Sequence, residues 1–250
     1  PLLSRNRIEP DEITIIVGNN PPPILRLHCR RPVDRLRRKE IAGRAAFPLE
    51  WEGEGKTPQR TDLTIGGFPY RVDASSFFQA HPAAAAELLG HPSLELPPES
   101  RLLELYCGMG LFTMAFARRM ASVVAVEGDP GCTALFADNL RRAGAENVRH
   151  VESSVEAWLA GNAGHLSEFD AMFLDPPRTG LGPGVRERLT DAAFRNLLYL
   201  SCDIATQRRD LQTWLEGGRY YKVEGLTVFD FFPNTFHIEC LARLHGTGAR

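Results

Sequence analysis

From Ser100 onward, short apolar runs alternate with longer segments that carry their apolar residues at helical spacing. The runs are RLLELY, SVVAVE, NVRHV, FDAMFL and NLLYLS. Between them lie GLFTMAFARRM, CTALFADNLRRAG, SSVEAWLAG, GVRERLTDAAF and ATQRRDLQTWLEGG. The runs read as strands and the longer segments as amphipathic helices. Ser153 or Ser154 is placed to cap one helix, Gly144 to end another, and Thr206 to cap a third. YYKVEGLTVFDFF and FHIECLARL close the chain as two more strands. This rhythm predicts βαβ units, hence an α/β fold with a doubly wound parallel sheet covered on both faces.

The first 75 residues follow another pattern. EITIIV and ILRLHC read as strands separated by the breaker NNPPP. TDLTIGGFPYRV reads as a hairpin turning at Gly66-Gly67, and WEGEGKTPQR as an exposed loop. Two regions are expected: a β-rich part over 1–75 and a larger α/β domain over 76–250. The chain opens at Pro1 rather than Met, as a fragment or a processed chain would.

Composition narrows this picture. Of 250 residues, 43% are hydrophobic and 24% charged, which suits an ordinary globular protein. The net charge of −2 gives no global cationic field, so a nucleic-acid partner would need local basic groups. Arg26, Arg30, Arg31, Arg35, Arg37, Arg38 and Lys39 form one such run; its plainer reading is a solvated face. The five cysteines, at 29, 107, 132, 202 and 240, include no C-x-x-C pair. No disulfide framework or closed zinc site is expected, and a reduced, cytoplasmic setting is. No apolar run reaches the length of about 18 residues that spans a membrane.

Four motifs carry candidate chemistry. ELYCGMG, Glu104 to Gly110, lies between a strand and a helix, where glycines let the backbone approach a ligand. The next strand ends in Glu127, where an acid can accept both hydroxyls of a ribose. A short glycine loop with that acid suits S-adenosylmethionine better than a pyrophosphate. FLDPPRTGL places Asp175 on a stiff loop after a strand, the prolines fixing φ. YLSCDIATQRRDL sets Cys202 at the tip of the next strand, so Asp175 and Cys202 are expected to face one cleft. FPNTFHIE leads into a last strand on which His237 and Glu239 share a face. Beside a candidate nucleophile, Glu239 becomes a candidate base.

Together FFQ, YCGMG, DPPR, SCDIAT and FPNTFHIE, in this order, resemble the RNA 5-methyluridine (uracil-C5) methyltransferase family. The resemblance covers about Leu63 to Leu244. It implies a Rossmann-like class I methyltransferase sheet and transfer of a methyl group from S-adenosylmethionine to C5 of a uridine in tRNA or rRNA. It further implies Cys202 as nucleophile and Glu239 as general base. Gln79, Tyr106, Glu127 and Asp175 match the family's cofactor-binding positions, with Gly108 and Gly110 shaping the loop. The expected partner is RNA, with no membrane and no metal. Residues 1–75 look like part of the family's small central β domain. Three positions depart from the family pattern: Asp203 and Ile204 stand in place of Asn and Pro, and Leu111 in place of a frequent Asn.

Such residues can run a metal-free reaction. A thiolate adding to C6 of uracil makes C5 nucleophilic, and a base then removes the C5 proton so that the thiolate can leave. The uridine must be unstacked to be reached, and Phe77, Phe78 and Phe232 are candidates for stacking on bases. Cys29, Cys132 and Cys240 read as inert core residues. Two alternatives stay open: an RNA cytosine-C5 methyltransferase, and a non-catalytic RNA-binding protein on the same fold.

Overall fold

A computed structural model describes residues 10, 12–16, 24–29, 33–45, 49–51, 60–73, 82–190, 192, 194–217, 221–231, 235 and 238–247. The chain divides into two compact units, Pro1–Phe78 and Gln79–Arg250.

In the first unit, β1 (Glu12–Ile16) and β2 (Ile24–His28) pair antiparallel, and β3 (Leu49–Trp51) joins β2 in parallel. A helix, α1 (Arg35–Arg44), lies between β2 and β3 in sequence, and the Asp34 side chain caps it by accepting from the Arg37 amide at 3.0 Å. Leu27, Ile41 and Trp51 form a small core. Most basic residues of α1 are solvated, but Arg38 is structural. Its guanidinium lies 5.5 Å from the Trp51 ring centre, and its Nε donates to the Val33 carbonyl. The expected hairpin is β4 (Arg60–Ile65) with β5 (Phe68–Asp73). Gly66 and Gly67 both take positive φ, 57° and 81°, as a two-residue hairpin turn of this hand requires.

The second unit is built on seven strands: β6 (Arg101–Leu105), β7 (Ser122–Glu127), β8 (Val148–Glu152), β9 (Ala171–Leu174), β10 (Asn196–Ser201), β11 (Tyr221–Phe229) and β12 (Glu239–Gly246). Their order is β11-β12-β10-β9-β6-β7-β8. Five consecutive strands, β10 to β8, are parallel. The sheet is not wholly parallel: β12 inserts antiparallel between β10 and β11. Only a short connection separates β11 from β12, too short for a crossover helix, so they pair head to tail.

The helices are α2 (Pro82–Gly90), α3 (Leu111–Ala117), α4 (Pro130–Ala143), α5 (Val155–Asn162), α6 (Pro183–Thr190) and α7 (Ile204–Gly217). Ser154 caps α5, and Gly144 ends α4 in the left-handed conformation. The helix α3 is shorter than its apolar spacing suggests, because Arg119 and Met120 both turn back onto the Phe116 carbonyl. On one face of the sheet Leu103, Leu105, Met172, Leu174, Leu197 and Tyr199 pack with Trp158, Val185, Leu189 and Trp214. On the other, Phe173 meets Phe112 and Phe116, with ring centres 4.7 and 5.2 Å apart. Alternation along each strand thus feeds two apolar layers. The strand order reverses between β9 and β6, and in such sheets ligands bind at the carboxyl edge beside the reversal.

Candidate active site

The carboxyl edge brings most of the candidate residues into one row. The antiparallel register pairs Ser201 with Cys240, so Cys202, one residue on, stands across from Glu239, one residue back. The parallel register pairs Tyr199 with Leu174 and Leu105 with Leu174, which sets Asp175 between Cys202 and the loop that begins at Tyr106. Glu127 ends β7 on the far side of that loop. The row therefore reads Glu239, Cys202, Asp175, the glycine loop, Glu127.

The glycine loop is held from three sides. Gly110 takes φ 91° at the start of α3, and a Cβ there would lie 2.8 Å from Met114 Cε and 3.0 Å from the Phe136 ring. Only glycine fits both the conformation and the space. The buried Asn139 side chain donates to the Met109 carbonyl at 3.1 Å. Glu127 Oε2 accepts from the Gly108 amide at 2.8 Å, while Oε1 accepts from the amides of Gly128 and Asp129. Three amides leave this carboxylate with spare acceptor capacity, since its two oxygens offer about four lone-pair sites. Gly108, at φ 56°, faces open space where a side chain would be. That opening beside an acid at the tip of β7 suits an adenosine ribose. Tyr106 holds the strand-to-loop turn at φ 63°, unusual for a bulky residue. Burial and the charges of Glu156, Asp210 and Glu127 push its phenol pKa up, so it stays a donor.

Cys202 is half-buried. Desolvation, then the carboxylates of Glu239 and Asp175, push its thiol pKa up; the Arg178 guanidinium works against them by charge and hydrogen bonding. Asp175 is pushed well above the carboxylate range by desolvation and by Glu239. The two carboxyls thus share one environment, and Asp175 is driven toward its neutral form there. Glu239 is only 4% exposed, at the first position of β12.

The start of α7 fixes the cysteine loop. Asp203 Oδ1 accepts from the Thr206 amide at 2.9 Å, and Ser201 Oγ accepts from the Asp203 amide at 3.1 Å. Asp203, not Thr206, is therefore the capping side chain. A carboxylate bonds a helix N-terminus as well as an asparagine does, so the departure at 203 keeps the local structure. Gln207, 2% exposed, donates to the carbonyls of both Tyr199 and Cys240 at 2.9 Å. It ties β10 to β12 just behind Cys202 and Glu239. Gln207 is absent from the candidates read off the motifs; its signal is an amide on the buried stripe of an amphipathic helix.

Gln79, Phe77, Phe78, Phe232 and His237 lie outside the described residues. Of the other cysteines, Cys107, Cys132 and Cys240 are buried and Cys29 is half-buried. Among the described residues no helix is long and apolar enough to cross a membrane.

A sequence profile described as tRNA (Uracil-5-)-methyltransferase matches residues 59–246, most of the chain. The chain belongs to this family. One family relative is the 23S rRNA (uracil(1939)-C(5))-methyltransferase RlmD of Edwardsiella ictaluri, 33% identical over 96% of this chain and 56% of the relative. Another is an uncharacterized RNA methyltransferase of Streptomyces avermitilis, 40% identical over 71% of this chain and 41% of the relative. The chain spans about half the length of these relatives. The fold is also that of the Pyrococcus abyssi tRNA (uracil-54, C5)-methyltransferase, solved in complex with S-adenosyl-L-homocysteine. The TM-score is 0.68 at 20% identity, over 93% of this chain and 59% of that one. The Rossmann-like α/β sheet implied by the resemblance is the arrangement of this solved structure.

Proposed function

We propose that this chain carries the catalytic centre of an S-adenosylmethionine-dependent methyltransferase that modifies C5 of a uridine in RNA. The observation that carries the reading is the register of β10 against β12, which sets a half-buried thiol opposite a buried carboxylate at the edge that also holds the glycine loop. S-adenosylmethionine supplies an electrophilic methyl group on a sulfonium. Glu127 and the opening at Gly108 would hold its ribose and adenine side, and Tyr106 and Asp175 would flank the remainder. Gln79 is assigned to the same cofactor by its place in the family motif.

The chain's own residues supply the other steps. The Cys202 thiolate adds to C6 of the uracil, forming an S–C6 bond and pushing electron density to C5. C5 takes the methyl group as the carbon–sulfonium bond breaks. Glu239 removes the C5 proton, the C5–C6 double bond re-forms and the thiolate leaves. Only an ionised thiol can begin this sequence. With the thiol pKa raised, the rate should climb as pH rises toward that pKa.

The test is transfer of labelled methyl from S-adenosylmethionine to RNA by the full-length protein, followed by nucleoside analysis. Label in 5-methyluridine, lost in Cys202→Ala and Glu239→Gln, is the expected result. Label in 5-methylcytidine would replace the substrate, and label in neither would reject the reading.

A further inference from the structure

A buried carboxylate outside the row of candidate residues joins two of its loops. Asp210 is fully buried on α7. Its Oδ2 accepts from the Leu181 amide and the Tyr199 hydroxyl, each at 2.8 Å. Its Oδ1 accepts from Arg186 at 3.1 Å and from Nε and Nη2 of Arg209 at 2.9 and 2.8 Å. Two arginines and two further donors on one carboxylate are far more than a helix residue needs for solubility, and a buried charge is held only when so paired.

What these bonds hold is the loop after β9. Arg209 Nη2 also donates to the carbonyls of Thr179 and Leu181, at 3.0 and 3.2 Å. Thr206 Oγ1 donates to the Arg178 carbonyl at 3.1 Å. Gly180, at φ 68°, presses so close that a Cβ would lie 2.7 Å from both Asp210 Oδ2 and Arg209 Nη2. The loop from Pro177 to Leu181 thus rests on the first two turns of α7. That loop carries Arg178, and α7 begins beside Cys202.

We infer that Asp210 is a positioning residue for the cysteine centre: it locks the Asp175–Leu181 loop onto α7 and so keeps the Arg178 guanidinium beside the Cys202 thiol. The groups facing the thiol are Arg178 and Asp175 from this loop and Glu239 from β12. Arg178 is the one cation among those three, so its placement favours the thiolate against desolvation and the two carboxylates. Asp210 faces Arg186 on α6, Arg209 on its own helix and Tyr199 on β10, with Tyr106 also within its field.

The inference concerns the residue proposed above as nucleophile, but it is read from the thiol and not from methyl transfer. The two readings can therefore fail separately. The experiment is the rate of Cys202 alkylation by iodoacetamide against pH, followed by peptide mass spectrometry, on the full-length protein. Asp210→Asn is expected to shift the profile to higher pH and slow alkylation several-fold near neutrality. Arg178→Ala should give the same shift, and the double variant no more than either. Thr206→Val, which cuts one tie to the loop, and Arg209→Ala, which cuts two and leaves Arg186 on Asp210, should shift the profile in the same direction by less. A folded Asp210→Asn with the wild-type profile overturns the inference. Should Asp210→Asn not fold, wild-type profiles in both Thr206→Val and Arg209→Ala overturn it instead.

Discussion

Glu104 lies on β6 directly before the glycine loop, wholly buried, with neither carboxyl oxygen in a well-formed hydrogen bond. Desolvation, reinforced by Asp175 and Glu127, raises its pKa to about 8, while the nearby Thr113 hydroxyl pulls the other way. The folded protein therefore holds this proton where the unfolded chain, with a carboxyl near 4.3, releases it. Its share of stability is present in acid, falls as pH rises from the unfolded pKa toward 8, and is level above that. Glu104→Gln is expected to flatten the fall in melting temperature between pH 5 and pH 8, measured by thermal unfolding at a series of pH values. An unchanged slope would show that Glu104 is ionised in the folded state. Burial of this kind could not be read from ELYCGMG, where Glu104 serves only as the first letter of a spacing. Cys202 and Glu239 were legible because a strand end and a side-chain alternation can be counted along a sequence. The mutual influence of Asp175, Glu239 and Cys202 was not, since it depends on three strands side by side.

The helix α7 joins structure to site. Its buried stripe reads Gln207, Asp210, Leu211 and Trp214, at helical spacing but with two polar members. A helix fully explained by packing would place apolar residues at all four. Each polar member instead meets backbone or ionic groups that no apolar side chain could satisfy. Gln207→Leu is expected to strand the carbonyls of Tyr199 and Cys240 and to cost about 1–3 kcal/mol for each. Urea unfolding of the variant measures this, and a loss below about 0.5 kcal/mol, the scale of a surface change, would mean that water or strand relaxation replaces both bonds. The same stripe shows why the elements were easier to read than their joints. Apolar periodicity marks where α7 runs, whereas the partners of Gln207 and Asp210 come from strands and loops distant in sequence. The antiparallel insertion of β12 was hidden for the same reason: an apolar run does not record its direction.

At the scale of the whole molecule, the chain carries its own α/β unit and a small N-terminal unit whose helix α1 is rich in arginine. RNA binding through α1 would appear in the salt dependence of affinity. Arg35→Glu with Lys39→Glu should lower the slope of log affinity against log salt by roughly 0.7–0.9 for each phosphate contact removed. A slope equal to wild type would assign α1 to the solvated face that its exposed residues also allow. The covalent step can be tested most directly with labelled S-adenosylmethionine and RNA containing 5-fluorouridine. Fluorine at C5 cannot leave as a proton, so the Cys202–C6 bond should persist after methyl transfer. A labelled protein–RNA band that survives a denaturing gel and disappears in Cys202→Ala is the expected result. Normal methylation of unsubstituted RNA with no such band, or a band that persists in Cys202→Ala, would contradict it.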